Sequence, residues 1–187
     1  MLTLNFTPFP VLYTERLVLR AAKHEDADAL SAIRSHARVN RFLERKAEMT
    51  HEEAENRIRR IAAETLANEC IEWVIQFKDN PQMLGSICYW NIAPQADKAE
   101  IGYEMHPDYY GKGVMQEAMQ RVIQYAFSEM NVKTIEAFPV KDNIKSIQLL
   151  ERNHFVRDYD IDKYKLPETE TQNTAVYILQ QAIITQR

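Results

Sequence analysis

Residues 98–115, KAEIGYEMHPDYYGKGVM, combine a strand pattern, a glycine turn and the start of a helix. The first eight residues alternate in the manner of a half-buried strand. The turn contains Gly111 and Gly113, two of only four glycines in the chain. Glycine permits positive φ and close approach of a ligand, and the helix that follows presents unpaired amides whose dipole favours an anion. The stretch therefore predicts a phosphate cradle, with a tight turn that binds no ligand as the alternative.

Patterns on either side of this stretch predict alternating strands and helices. Strands are predicted over residues 15–21, 71–77, 83–90, 98–105, 134–139, 155–166 and 174–183. Helices are predicted over 24–36, 50–67, 114–130 and 143–152, the second opened by a capping box of Thr50 and Glu53. This order predicts an α/β fold with a mixed sheet and helices on its faces. The chain has no repeat or flexible linker, so we expect one domain over residues 1–187.

Composition limits the classes of partner. A net charge of −4 argues against nucleic acid as the main partner. No apolar stretch approaches the ~20 residues of a membrane span, and the N-terminus lacks a secretion signal, so a cytoplasmic protein without a membrane partner is expected. Cys70 and Cys88 lie in strand patterns and are expected to be buried, reduced thiols. The five histidines are scattered, so no metal site is expected.

Three further segments accompany the glycine turn. They are Thr14–Arg20 (TERLVLR), Asn143–Ser146 (NIKS) at the start of a helix, and Leu149–Phe155 (LLERNHF) at its end. Together these segments resemble the acetyl-CoA-dependent GNAT N-acetyltransferases, over roughly residues 10 to 180. Within that superfamily they resemble the RimJ/RimL branch of ribosomal-protein N-terminal acetyltransferases. The resemblance implies a GNAT fold, in which a central, mostly antiparallel, twisted sheet is splayed in its middle and carries helices on both faces.

The chain departs from the family pattern at three places. Asp108 stands where the family usually has Gln or Arg, and His154 replaces the glycine of a usual Gly-Phe pair. The C-terminal hairpin, residues 158–173, is acidic and unlike the common pattern of the branch. The first two departures concern the entry to the turn and to a strand, and the third concerns the substrate.

The resemblance also implies which residues bind acetyl-CoA. The backbone amides expected to hold the pyrophosphate are those of Tyr110, Gly111, Lys112, Gly113, Val114 and Met115. The backbone of Met105 and His106 is expected to pair with the pantetheine arm. Asn143 is expected to hydrogen-bond a pantetheine amide, although helix capping explains an asparagine there equally well.

Acetyl transfer to an amine needs a group that takes the proton of the amine and a group that protonates the leaving thiol. Glu100 and Glu104 lie on one face of the predicted strand. Glu104 is closer to the expected thioester, so it is the preferred base and Glu100 the second choice; an exposed polar strand face is the alternative for both. Ser146 is the candidate proton donor, with Tyr103 and Tyr110 as runners-up.

The predicted function is therefore an acetyl-CoA-dependent N-acetyltransferase, monomeric or homodimeric, that moves an acetyl group to a primary amine by direct attack in a ternary complex. The acceptor is a protein N-terminus, or a small amine such as a polyamine or antibiotic. A non-catalytic acetyl-CoA-binding module and a phosphate-loop nucleotide binder are the alternatives. The regions expected to select the acceptor are residues 36–53 and the acidic hairpin, which would suit a cationic acceptor. The run Arg57–Arg60 is interpreted as a solvated helix face.

Overall fold

The computed structural model describes residues 2–43, 45–164, 167 and 171–181. Its strands form one eight-stranded sheet in the order β1-β2-β3-β4-β5-β6-β8-β7. The strands are β1 Leu12–Tyr13, β2 Leu17–Arg20, β3 Ile71–Phe77, β4 Asn80–Ala93, β5 Lys98–Met105, β6 Thr134–Ala137, β7 Val156–Asp158 and β8 Val176–Gln180. All pairs are antiparallel except β5 with β6. The mostly antiparallel α/β fold is thereby confirmed.

Helices cover both faces of the sheet. They are α1 Ala27–Ser35, α2 Ala37–Asn40, α3 His51–Leu66, α4 Val114–Ser128 and α5 Ile144–Arg152. The larger core lies under α4 and α5 and includes the fully buried Trp73 of β3. A smaller core lies under α1 and α3 and includes Val74, the next residue of the same strand. Because successive strand residues point to opposite faces, Trp73 and Val74 identify the two sides of the sheet.

The sheet opens between β5 and β6. Strand β5 pairs with β4 continuously from Glu100 to Met105, and again at Lys98 after a register shift. Its parallel pairing with β6 covers only Lys98, Ala99 and Glu100. Beyond Glu100 the two strands separate, which confirms the predicted splay. In the described part of the chain, the backbone edge of β5 that faces the opening therefore has no neighbouring strand over its last five residues.

Local sequence signals explain several boundaries. Helix α3 begins after Thr50, whose side chain accepts from Glu53 N (3.2 Å) while the Glu53 carboxylate accepts from Thr50 N (2.7 Å). This reciprocal pair is the predicted capping box. Helix α1 is shorter than predicted because a 3-10 turn, His24–Asp26, precedes it. Strand β4 is longer than predicted, since pairing with β3 continues to Asn80 across the hairpin turn.

The C-terminal hairpin differs most from its prediction. The strand expected over 155–166 is only Val156–Asp158, followed by a 3-10 turn at Ile161–Tyr164. The Asp158 carboxylate ends the strand, because it accepts from Asp160 N (3.1 Å) and Tyr164 Oη (2.7 Å) and pairs with Lys163. Strand β8 is likewise shorter than the expected 174–183. Residues 165, 166, 182 and 183 of these predictions lie outside the described residues.

Candidate active site

The glycine turn connects β5 to α4 and holds both of its glycines in the left-handed region. Gly111 has φ of 76° and Gly113, the N-cap of α4, has φ of 74°. The amides of Gly111, Lys112 and Gly113 donate to no other described residue, and the first helical bond of α4 is Glu117 N to Gly113 O (3.0 Å). A row of unpaired amides at a helix N-terminus is an anion site. The residues of the turn therefore fit the diphosphate of a coenzyme A.

A carboxylate fixes the turn to the start of the sheet. Glu117, in the first turn of α4, accepts from Thr14 Oγ1 (2.6 Å), Arg16 N (2.8 Å) and Arg16 Nε (2.7 Å). Arg16 Nη1 also donates to Lys112 O (3.2 Å). Burial would raise the pKa of Glu117, but the hydrogen bonds from Thr14 and Arg16 lower it below its usual value. The turn is thus preorganised by an ionised group.

The backbone amides at the end of β5 point alternately to strand β4 and to the opening of the sheet. His106 N donates to Leu84 O of β4 (2.8 Å). Antiparallel ladders alternate, so the amide of the preceding residue, Met105, faces the opening. The His106 amide is therefore used inside the sheet, and the predicted pairing of the Met105 and His106 backbone with the pantetheine arm stays a prediction. The Tyr110 amide also has a partner, because it donates to Pro107 O (3.1 Å). The amides that remain available for a phosphate therefore begin at Gly111.

Side chains around the turn are held by aromatic contacts. Lys112 Nζ lies 5.4 Å from the Tyr109 ring centroid. The Tyr110 ring is close to two cations, Arg38 at 5.4 Å and Lys145 at 5.7 Å. Burial raises the pKa of Tyr110, and the charge of Arg38 opposes that rise. Lys145 precedes Ser146 in α5, so this cluster links the turn to the N-terminus of that helix.

Ser146 and Tyr103 face each other across the opening of the sheet. Ser146 Oγ and Tyr103 Oη are 2.7 Å apart. Burial raises the pKa of Tyr103 to about 12, opposed weakly by the serine hydrogen bond, so the phenol is protonated at neutral pH. Asn143 caps α5 through Oδ1, which accepts from Ser146 N (3.2 Å). The capping interpretation of Asn143 is thus confirmed, and a pantetheine contact through its amide nitrogen stays a prediction.

The two candidate bases occupy different environments on the opposite face of β5. Glu104 accepts from Arg34 Nη1 at Oε1 (2.9 Å) and from Arg45 Nη1 at Oε2 (2.8 Å), with only 11% of its side chain exposed. Glu100 accepts from Asn91 Nδ2 (2.8 Å). Four residues of strand separate the Cα atoms of Glu100 and Glu104 by roughly 13 Å. Only Glu104 lies near the end of β5, beside the opening.

A second buried carboxylate escaped sequence analysis. Glu72 of β3 accepts from Arg57 Nη2 of α3 (2.8 Å). Burial, reinforced by the charge of Glu104, raises the pKa of Glu72, and the charge of Arg57 opposes that rise. The prediction of a solvated face over Arg57–Arg60 is therefore wrong for Arg57, whose side chain is 20% exposed, whereas the side chains of Arg59 and Arg60 are 62% exposed. The available signal was spacing: position 57 lies three residues after the buried Ala54.

The remaining reactive groups do not form a second centre in the described ranges. No group of three or more His, Cys, Asp or Glu side chains there could hold a metal ion. Both cysteines are free and partly buried. Burial raises the pKa of Cys70 to about 12 and raises that of Cys88 as well. Neither thiol is therefore activated as a nucleophile.

Comparison with known proteins assigns the chain to a family. The family model described as the acetyltransferase (GNAT) domain matches residues 16–156, most of the chain. The chain belongs to the GNAT acetyltransferase family, and it is an acyltransferase. Among the helices of the described ranges, none is long and apolar enough to cross a bilayer.

Individual relatives agree with this assignment. The chain is 31% identical to an uncharacterised N-acetyltransferase of Bacillus subtilis, YoaA, over 90% of its own length and 96% of the relative. It is 33% identical to the uncharacterised N-acetyltransferase p20 of Bacillus licheniformis, over 83% and 90% of the two chains. The fold matches a solved structure of RimL, the ribosomal L7/L12 α-N-protein acetyltransferase in complex with coenzyme A, with a TM-score of 0.79 at 18% identity, covering 91% and 98% of the chains.

Proposed function

We propose that this protein is an acetyl-CoA-dependent N-acetyltransferase that transfers an acetyl group to a primary amine by direct attack in a ternary complex. The observation that carries the proposal is the row of unpaired amides from Gly111 to Gly113, at the N-terminus of α4 and at the end of the splayed strand β5. The solved RimL structure, which contains coenzyme A, supports the choice of cosubstrate. We place the whole chain, residues 1–187, in one acetyltransferase domain.

Binding roles follow from the available amides. Gly111, Lys112 and Gly113, with the first helical amides of Val114 and Met115, would hold the diphosphate. The free backbone edge of β5, ending at Met105, would pair with the pantetheine arm as a neighbouring strand would. Acetyl-CoA supplies the acetyl group as a thioester, and the Met105 amide is the donor proposed for its carbonyl oxygen.

Two side chains would transfer protons, one accepting a proton from the amine and one donating a proton to the leaving thiolate. Glu104 is the proposed base, because it lies at the end of β5 on the face of α1 and α3. Its two arginines hold its carboxylate in position, and one of them must yield before it accepts a proton from the amine. Glu100 remains the second candidate. On the other face, the Ser146 hydroxyl, oriented by Tyr103, would donate to the leaving sulfur.

Direct transfer is favoured over an acetylated enzyme by the state of the thiols. A covalent route needs an activated nucleophile, and burial raises the pKa of both cysteines of the chain. Ser146 contacts a phenol whose own pKa is raised rather than a base. The acceptor, whether a protein N-terminus or a small amine, the oligomeric state and the cytoplasmic location stay predictions.

Two measurements test the proposal. Calorimetry should detect coenzyme A binding, and thiol release from acetyl-CoA should appear with at least one member of a panel of N-terminal peptides and small primary amines. A protein that neither binds coenzyme A nor releases thiol contradicts the proposal. Binding without turnover across a broad panel would instead support a module that binds the cosubstrate without catalysis.

A further inference from the structure

A cluster of arginines and glutamates lies between the sheet and the α1/α3 layer. Arg34 of α1 and Arg45 of the loop between α2 and α3 pair with Glu104, and Arg57 of α3 pairs with Glu72. The five side chains are 8–20% exposed. Three cations face two carboxylates, which leaves one positive charge in excess, although the chain as a whole carries −4.

A cavity of about 440 Å³ opens onto this cluster. Its lining includes two glutamates and five cationic residues: Arg34, Arg45, Lys46, Arg57 and Arg60. The volume falls within the range of small-molecule sites, so the cavity holds more than a single ion. Arg34 and Arg45 line the cavity and also donate to the proposed base, Glu104. Their guanidinium groups therefore lie between the cavity and the Glu104 carboxylate.

Each of the three clustered arginines keeps a buried donor without a partner in the described part of the chain. These atoms are Arg34 Nε, Arg45 Nη2 and Arg57 Nε. A buried polar atom normally has a hydrogen-bond partner, and several unpaired guanidinium donors beside one cavity are uncommon. Guanidinium groups bind carboxylates and phosphates in preference to neutral acceptors.

We infer that the acceptor amine carries a phosphate or carboxylate group, and that Arg34, Arg45 and Arg57 bind this anion while the amine lies at Glu104. The inference rests on the proposed acetyl transfer and gives its acceptor a chemical class. The inference argues against polyamines and other polycationic amines as acceptors, because the excess positive charge would repel them. Residues 36–53, the region predicted to select the acceptor, contribute Arg45 to the inferred site. Burial, opposed by Glu104, lowers the pKa of Arg34, in keeping with a cation short of counter-charge.

The first experiment measures anion binding without turnover. Thermal unfolding of the protein saturated with coenzyme A is compared in potassium phosphate and in potassium chloride of equal ionic strength. Saturation with coenzyme A fills the glycine turn, so any extra stabilisation by phosphate reports another site. We expect that stabilisation to be lost in Arg57→Gln and in Arg57→Gln/Glu72→Gln, which leaves no buried carboxylate unpaired. The matched control Arg59→Gln changes the same charge on the same helix outside the cavity and should keep the wild-type shift.

The second experiment compares acceptors that differ only by the anion. Ethanolamine is paired with O-phosphoethanolamine, and a dipeptide amide with the same dipeptide carrying a free carboxylate. We expect the anionic member of at least one pair to have a kcat/KM about tenfold to hundredfold higher, the range of one charge-assisted interaction. Arg57→Gln should remove most of that preference and Arg59→Gln should not. The pair that shows the larger preference identifies phosphate or carboxylate as the group bound.

The outcomes separate this inference from the proposed function. Equal phosphate stabilisation in wild type and in both Arg57 variants overturns the anion site, whatever amines are acetylated. A kcat/KM for the anionic member that is equal to or lower than that for the uncharged member in every pair overturns it as well. Failure to bind coenzyme A contradicts the proposed function alone, because the same phosphate comparison without coenzyme A still tests Arg57.

Discussion

The Tyr103–Ser146 pair gives a quantitative test of the proposed proton donor. Tyr103→Phe keeps the ring and removes only the oxygen that lies 2.7 Å from Ser146 Oγ. Loss of one buried neutral hydrogen bond costs about 1 kcal/mol, which lowers the melting temperature by about 2–4 °C in a domain of this size. Ser146→Ala should lower kcat by about 10²-fold or more, the usual contribution of a positioned acid.

A double-mutant cycle then separates orientation from independent action. If Tyr103 acts only by orienting Ser146, the double variant should have the same kcat as Ser146→Ala alone, since both substitutions affect one proton. The assay is thiol release at saturating acetyl-CoA with the best acceptor of the panel, and calorimetry should show unchanged affinity for coenzyme A. Multiplicative losses in the double variant, or an unaltered kcat in Ser146→Ala, would refute the orientation mechanism.

The direction of the Tyr103 pKa fixes the pH dependence. A folded-state pKa of about 12, above the ordinary 10, means that the folded protein retains this proton after the unfolded chain has lost it. The contribution to stability is therefore complete below pH 10 and is lost as the pH rises towards 12. Tyr103 should cause no fall in kcat between pH 7 and pH 10, and Tyr103→Phe should leave the profile over that interval unchanged in shape.

Three further predictions concern the base, the turn and its support. Glu104→Gln should lower kcat by about 10²-fold or more while calorimetry shows wild-type affinity for coenzyme A. Unchanged turnover would contradict Glu104 as the base and leave Glu100 as the candidate. Gly111→Ala places a side chain at φ 76°, where its Cβ meets no atom within 4 Å, so a cost of about 1–2 kcal/mol in denaturant unfolding is strain alone. We also expect about tenfold weaker coenzyme A binding for this variant, and an unaltered Kd would contradict the cradle. The lowered pKa of Glu117 means that its contribution to stability is present above pH 4.5 and falls as the pH drops below that value. Glu117→Gln should flatten this acid limb in urea titrations at several pH values, and an acid limb as steep as that of wild type would contradict it.

The features of the site that could be predicted are those whose signals come from residues close together in the sequence. The alternation of β5, the two glycines and the first residues of α4 all lie within residues 98–115, and each signal acts locally. The same holds for the capping box at Thr50. The Ser146 hydroxyl followed from the family pattern, whereas its contact with Tyr103 joins residues 43 positions apart and needed the fold.

The arginine cluster could not be predicted because its pairs are distant in sequence. Arg34 and Glu104 are 70 positions apart, and Arg45 and Glu104 are 59 apart. An arginine in an amphipathic helix normally indicates a solvated face, and only the packing of α1 and α3 on the sheet buries Arg34 and Arg57. The prediction for the C-terminal hairpin was wrong for the opposite reason. A local turn stabilised by the Asp158 side chain ends a segment whose sequence pattern is typical of a strand.

The short parallel pairing of β5 has a consequence for handling the protein. An unpaired strand edge is a template on which another chain can add a strand, and here that edge lies inside the sheet rather than at its rim. If the pantetheine arm pairs with this edge, bound coenzyme A also protects the edge from pairing with another chain. Preparations stripped of coenzyme should self-associate faster during storage than loaded ones.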